Sequence, residues 1–104
     1  MISKDLLLIT GENKISIVNI NTYNLINIIE VSGSGCIYSA CILNDNIILT
    51  GDEKGRIIQW KIEDNNLILI SKKENAHNDK IFTITKLDNG LILSGSRDIS
   101  IKIW

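Results

Sequence analysis

Three stretches of this chain repeat one pattern, and a repeat of that length limits the fold more than any other feature. They are Leu7-Leu8-Ile9-Thr10-Gly11-Glu12-Asn13-Lys14, Ile47-Ile48-Leu49-Thr50-Gly51-Asp52-Glu53-Lys54 and Leu91-Ile92-Leu93-Ser94-Gly95-Ser96-Arg97-Asp98. The glycines at 11, 51 and 95 set spacings of 40 and 44 residues. Six residues after each glycine stands Ile17, Ile57 or Ile101, and nine after it Ile20, Trp60 or Trp104. Residues 33–60 align on 77–104 without a gap, with identity at Ile37/Ile81, Leu43/Leu87, Ile48/Ile92, Leu49/Leu93, Gly51/Gly95, Ile57/Ile101 and Trp60/Trp104. Tyr38/Phe82, Ser39/Thr83, Ile47/Leu91 and Thr50/Ser94 are close substitutions.

Each unit reads as β structure. Short apolar runs are bounded by turn clusters at Asn44-Asp45-Asn46, Gly51 to Gly55, Glu63 to Asn66 and Asp88-Asn89-Gly90. Ile99, Ile101 and Ile103 alternate with Ser100, Lys102 and Trp104 on a two-residue period, and no segment sustains a helical one. Four strands per unit at this period match a propeller blade, so the predicted class is all-β, built from antiparallel four-stranded blades.

Composition removes several function classes. Eleven basic and twelve acidic side chains leave a formal net charge of -1, which provides no electrostatic footprint for nucleic acid or an anionic membrane. No apolar run approaches the ~20 residues of a membrane helix. Met1 to Thr10, with Lys4 and Asp5, lacks the small-residue cleavage site of a signal peptide. Cys36 and Cys41 stand an odd number apart, on opposite faces of one strand, and read as buried apolar residues of a reducing, cytoplasmic setting.

The segment L-I-L-S-G-S-R-D-I-S-I-K-I-W, Leu91 to Trp104, closely resembles the core of a WD repeat, and Ala76-His77 stands where that family usually has Gly-His. The resemblance covers essentially the whole chain, being strong in the third copy, fair in the second and weak in the first. Trp60 is followed by Lys61, so the Trp-Asp pair itself is absent. The resemblance implies a blade network of His77, Ser94, Asp98 and Trp104. In the second copy Thr50 and Trp60 remain, but Gly33 stands at the His position and Lys54 at the Asp position, which predicts a blade without the network. The first copy has Thr10, Lys14 and Ile20 at those places.

Other chemistry is weighed against plain structure. His77, Ser94 and Asp98 are the residue types of a hydrolase triad, but no nucleophile elbow accompanies them. His77 with Asp79 is at most half a metal site, and Gly33-Ser34-Gly35 reads as a loop, since no helix opens there to bind phosphate. Lys72-Lys73 reads as a solvated edge, and Tyr38 and Phe82 as core. No catalytic residue, metal or cofactor is expected.

Function is then sought on the loops of a rigid scaffold. The rim formed by the second-to-third-strand turns and the connections between blades includes Asp52, Glu53, Asn78, Asp79 and Arg97. Arg97 is the leading contact residue, because arginine is enriched at interaction hot spots. The reading is a scaffold for other proteins in a multiprotein complex. The alternatives are a nucleic-acid or membrane-surface propeller, or a non-catalytic section of a larger enzyme. Strands taken in order divide the chain into a partial blade at 1–31, a full blade at 32–74 and a partial blade at 75–104. That makes an incomplete ring, expected to be a fragment completed by further blades of a parent propeller.

Overall fold

The computed structural model describes residues 6–44 and 46–104. The signal-peptide reading at Lys4 and Asp5, and Asp45 of the predicted turn, lie outside them.

The described residues form ten strands, in order: β1 (Leu6–Gly11), β2 (Lys14–Asn19), β3 (Leu25–Glu30), β4 (Ile37–Asn44), β5 (Ile47–Asp52), β6 (Ile57–Glu63), β7 (Asn66–Lys73), β8 (Ile81–Lys86), β9 (Ile92–Ser96) and β10 (Ile101–Ile103). They form sheets in the orders β1-β2-β3, β4-β5-β6-β7 and β8-β9-β10, and every pairing is antiparallel between sequence neighbours. The result is a set of up-and-down meanders with short turns, as period-two patterning between turn clusters requires.

Two apolar layers join the three sheets. Ile15, Ile17 and Ile29 of the first sheet pack with Ile48, Ile58, Trp60 and Ile62 of the second. Leu49 and Ile57, on the opposite face of the second sheet, pack with Ile81, Ile84 and Ile92 of the third. Neighbouring residues of one strand thus serve opposite layers. Because the second sheet is covered on both faces, β5 is almost continuously buried, whereas β1 alternates between half-buried and exposed residues. The alternation predicted around β10 does not appear in its burial: Ile101 is 76% and Ile103 66% exposed, and Ile99 lies in the turn before the strand.

The glycine-anchored alignment of the first copy shifts in three dimensions. In the second sheet Gly51 pairs with Ile57 and Ile48 with Trp60. In the first, Gly11 pairs with Lys14 and Leu8 with Ile17, because the turn holds only Glu12 and Asn13. Ile17, fully buried, therefore takes the place of Trp60, and Ile20 sits exposed beyond the strand.

The inner strands β4 and β8 carry the same irregularity. Ile37 pairs with Asp52 and Ser39 with Gly51, skipping Tyr38; Ile81 pairs with Ser96 and Thr83 with Gly95, skipping Phe82. A bulge re-aims its extra side chain. Tyr38 and Phe82, expected in the core, accordingly stand 39% and 50% exposed, edge to face with ring centroids 5.4 Å apart. Cys36 and Cys41 are both free and half-buried rather than buried. Burial raises the pKa of the Cys41 thiol, partly offset by Lys86.

Candidate functional site

The β1–β2, β5–β6 and β9–β10 turns are bonded to the connections between sheets and form one rim with them: Asn13 N–H donates to Gly35 O, Glu53 N–H to Cys36 O and Arg97 N–H to Lys80 O. The turns of the second and third sheets share a backbone. Asp52 N–H donates to Arg56 O and Ser96 N–H to Ser100 O, each at 3.2 Å; Gly55 N–H donates to Asp52 O and Ile99 N–H to Ser96 O, again at 3.2 Å each. A side-chain oxygen at the first position closes both turns: Asp52 Oδ1 accepts the Lys54 N–H at 2.9 Å and Ser96 Oγ the Asp98 N–H at 3.0 Å. Such local bonds are why Asp and Ser suit turns.

In the third sheet the carboxylate stands two residues later. Asp98 Oδ1 accepts the Ser100 N–H at 2.9 Å and also bonds the Ser100 hydroxyl, while Oδ2 accepts the Asn78 N–H at 3.0 Å and lies 3.0 Å from His77 Nδ1. His77 Nε2 is 2.7 Å from Ser94 Oγ, which accepts the Trp104 indole N–H at 2.8 Å. His77 and Ser94 are fully buried or nearly so. Trp104 can only donate to Ser94, so the Ser94 proton is satisfied by donating to Nε2, which leaves Nδ1–H to donate to Asp98. The chain of donors thus runs in one direction, from indole to carboxylate. The Ser100 hydroxyl above all, with the Asn78 N–H and His77, holds the Asp98 carboxyl well below the usual carboxylate range, although desolvation opposes the shift.

The second sheet has Gly33 and Lys54 where the third has His77 and Asp98, and a different polar pair fills its turn. Trp60 Nε1 donates to Thr50 Oγ1 at 3.0 Å. Asp52, expected on the exposed rim, is 1% exposed: its Oδ2 accepts Arg56 Nε–H at 2.9 Å and its Oδ1 the Arg56 N–H at 3.1 Å. Arg56 Nη2 reaches Ser32 O at 3.3 Å, and its Nη1 lies 4.0 Å from Glu74. The carbonyl at the matching place in the third sheet, Ala76 O, is served instead by Lys102 Nζ at 2.7 Å. Sequence reasoning missed Arg56, although its signal was a basic residue four positions after an aspartate in a turn.

The other rim residues are placed as follows. Arg97 and Asn78 are exposed, and Glu53 and Asp79 half-buried. The Arg97 N–H is pinned to Lys80 O at 3.0 Å and its side chain joins no salt bridge among the described residues. Lys54 is exposed. Lys80 Nζ lies 5.9 Å from the Tyr38 ring centroid, which adds the bulged aromatic pair to this rim. Lys72 pairs with Glu74 at 3.2 Å, and Lys73 Nζ sits 5.3 Å from the Trp104 ring centroid. Among the described residues no group of three His, Cys, Asp or Glu side chains is gathered to hold a metal.

No family model matches the chain. A stretch of 61 residues, 59% of the chain, is 36% identical to ASTRA-associated protein 1 of Scheffersomyces stipitis and spans 13% of that protein. Among solved structures, 98% of the chain superposes on a chain in the crystal structure of the mitotic checkpoint complex, with a TM-score of 0.85 at 17% identity. The C-terminal WD40 domain of Sif2 superposes over 98% with a TM-score of 0.74 at 13% identity. The chain covers 32% and 31% of those two chains. It folds as consecutive blades of a WD-repeat β-propeller.

Proposed function

We propose that this chain is a protein-interaction section of a propeller, holding other proteins within a multiprotein assembly without catalysing a reaction. The observation that carries the reading is the Arg97 rim. A guanidinium without a salt bridge among the described residues stands on a backbone held by Lys80 O on Arg97 and Ser96 Oγ on Asp98, on the rim that also carries exposed Asn78 and, near Lys80, the Tyr38 ring. Rigid presentation of arginine and aromatic side chains lowers the entropic cost of binding and supplies hot-spot residue types. The name of the yeast relative, a protein associated with ASTRA, supports membership of a complex. Catalysis by the triad-like residues is disfavoured by their geometry, since the Ser94 hydroxyl is buried and is engaged by both Trp104 and His77. The balanced charge disfavours nucleic acid. A reducing compartment, cytoplasmic or nuclear, completes the proposal.

The test is quantitative co-purification with the full-length protein and its Arg97→Glu variant. The proposal expects a defined set of partner proteins, with at least one reduced about 10-fold or more by the variant. An unchanged partner set, or hydrolysis abolished by Ser94→Ala, overturns it.

A further inference from the structure

The β1–β2, β5–β6 and β9–β10 turns each hold one residue at positive φ: Asn13 at 55°, Gly55 at 75° and Ile99 at 67°. Asparagine and glycine enter that region readily, whereas a β-branched residue is strained there. The first two are also held from outside their own sheet. Gly35 N–H, in the connection to the second sheet, donates to Asn13 Oδ1 at 2.9 Å. His77 N–H, in the connection to the third, donates to Gly55 O at 3.1 Å. Ile99 has no such cover among the described residues: it is 97% exposed, more than any other large hydrophobic there. Glycine serves the matching turn of the second sheet, so the fold does not ask for isoleucine at this place. Strain kept in a side chain that packs on nothing marks a position held for contact rather than for folding.

The same turn presents Arg97 two positions earlier. Its backbone is fixed, with the Ile99 N–H on Ser96 O and the Arg97 N–H on Lys80 O. The acids of the turn and of its connection are spent on the fold. Asp98 accepts the Asn78 and Ser100 N–H groups and lies against His77, and Asp79 Oδ1 accepts the Lys80 N–H at 2.7 Å. Neither Arg97 nor Lys80 joins a salt bridge among the described residues. The turn therefore offers outward an unpaired guanidinium and a bare aliphatic group on one stiff backbone.

We infer that Arg97 and Ile99 together read an acidic-aliphatic segment of a partner protein. A carboxylate of that segment pairs with the guanidinium, and a leucine, isoleucine or valine next to it packs on Ile99. Arginine binds carboxylates through paired N–H donors, and an aliphatic neighbour that covers Ile99 also keeps water from the pair. Nucleic acid and anionic lipid call for rows of cations, which one guanidinium followed by an isoleucine does not supply. The fixed turn lowers the ordering cost of the contact. The inference rests on the interaction-scaffold reading and deepens it by naming the partner's chemistry.

The experiment selects from a phage-displayed library of random peptides on the full-length protein. Enriched peptides are then bound, by fluorescence anisotropy, to the wild type and to Arg97→Glu, Ile99→Gly and Ile99→Leu, and the unfolding midpoint of each protein is measured. The expected peptides carry Asp or Glu adjacent to Leu, Ile or Val. Affinity should fall about 10-fold or more with Arg97→Glu and about 5-fold or more with Ile99→Gly, and stay within a few-fold with Ile99→Leu. The midpoint of Ile99→Gly should rise while its binding falls, which a merely structural isoleucine would not allow. Failure to enrich any peptide, enriched peptides without an acidic residue, or equal binding by Ile99→Gly overturns the inference. A lowered midpoint of Ile99→Gly also overturns it, since a neighbouring sheet of the full-length protein would then cover the side chain. If Arg97→Glu still releases a co-purifying protein in those cases, the scaffold reading survives alone; if it releases none, both fall.

Discussion

The second and third sheets build the same turn and satisfy it with different side chains. Four backbone hydrogen bonds, two per turn, superpose residue for residue, yet the carboxylate sits at the first turn position in one, Asp52, and at the third in the other, Asp98. Asp52 binds an arginine on its own hairpin, whereas Asp98 binds a histidine that arrives from the connection between sheets. The serine at 96 does locally what the aspartate at 52 does, and a lysine from β10 takes over the connector carbonyl that Arg56 serves. What must be preserved is the accounting of buried donors and acceptors, not the identity of the residues that balance it.

Variants that separate the two sheets, made in the full-length protein and followed by denaturant titration, test the contrast. The largest loss is expected at Trp60→Ala, about 3–5 kcal/mol, because the ring is 4% exposed in the layer between the first two sheets. Trp104→Ala should cost clearly less, as that ring is 37% exposed. Equal losses would mean that the third sheet is covered as fully as the second.

His77→Ala is next, at about 1–3 kcal/mol, through the Ser94 hydroxyl and the Asp98 carboxylate, each of which loses a partner. Asp98→Asn carries a pH signature. A carboxyl held below its ordinary range contributes stability above the unfolded-state pKa of about 3.9, and that contribution is lost as pH falls toward the lower folded value. The wild type should therefore lose stability on acidification below about pH 4 more steeply than Asp98→Asn, as read from unfolding midpoints. Parallel acid limbs would remove Asp98 from the network.

A gain is expected at Ile99→Gly, about 1 kcal/mol. Ile99 holds φ 67° where the matching residue of the second sheet is Gly55 at φ 75°. Gly55 is required there, because a Cβ would come within 2.1 Å of His77 O, whereas Ile99 only bears strain in open solvent. A loss of stability at Ile99→Gly would show that its side chain packs after all. The smallest effect belongs to Lys54→Ala, within about 0.5 kcal/mol, since Lys54 is exposed and occupies the sequence position, but not the role, of Asp98.

Repeat length and period-two patterning were enough to read the antiparallel meanders, because both follow from how a strand alternates and how far a blade extends. Three features were not legible. The two-residue turn at Glu12 and Asn13 moves Ile17 into the place of Trp60, and a gapless alignment on glycine cannot register a shorter turn. The bulges that turn Tyr38 and Phe82 outward leave no mark on hydropathy, since an aromatic at a strand start looks the same whether it faces in or out. Asp52 and Arg56 look like solvated charges on a turn, and only the cover from the flanking sheets buries them as a pair. The third-sheet residues His77, Ser94, Asp98 and Trp104 could be named because the family resemblance carried them; spacing alone did not bring His77 to Asp98.

The contrast between the sheets rests on Asp52 and Arg56 acting as one unit. A double-mutant cycle of Asp52→Asn, Arg56→Gln and the double variant, with stability measured in the full-length protein, tests it directly. Each single change strands one buried charge and should cost about 3 kcal/mol or more, and the double change should cost much less than their sum, with a coupling of at least about 2 kcal/mol. Additive losses with coupling under about 0.5 kcal/mol would contradict the account and return both residues to the exposed rim.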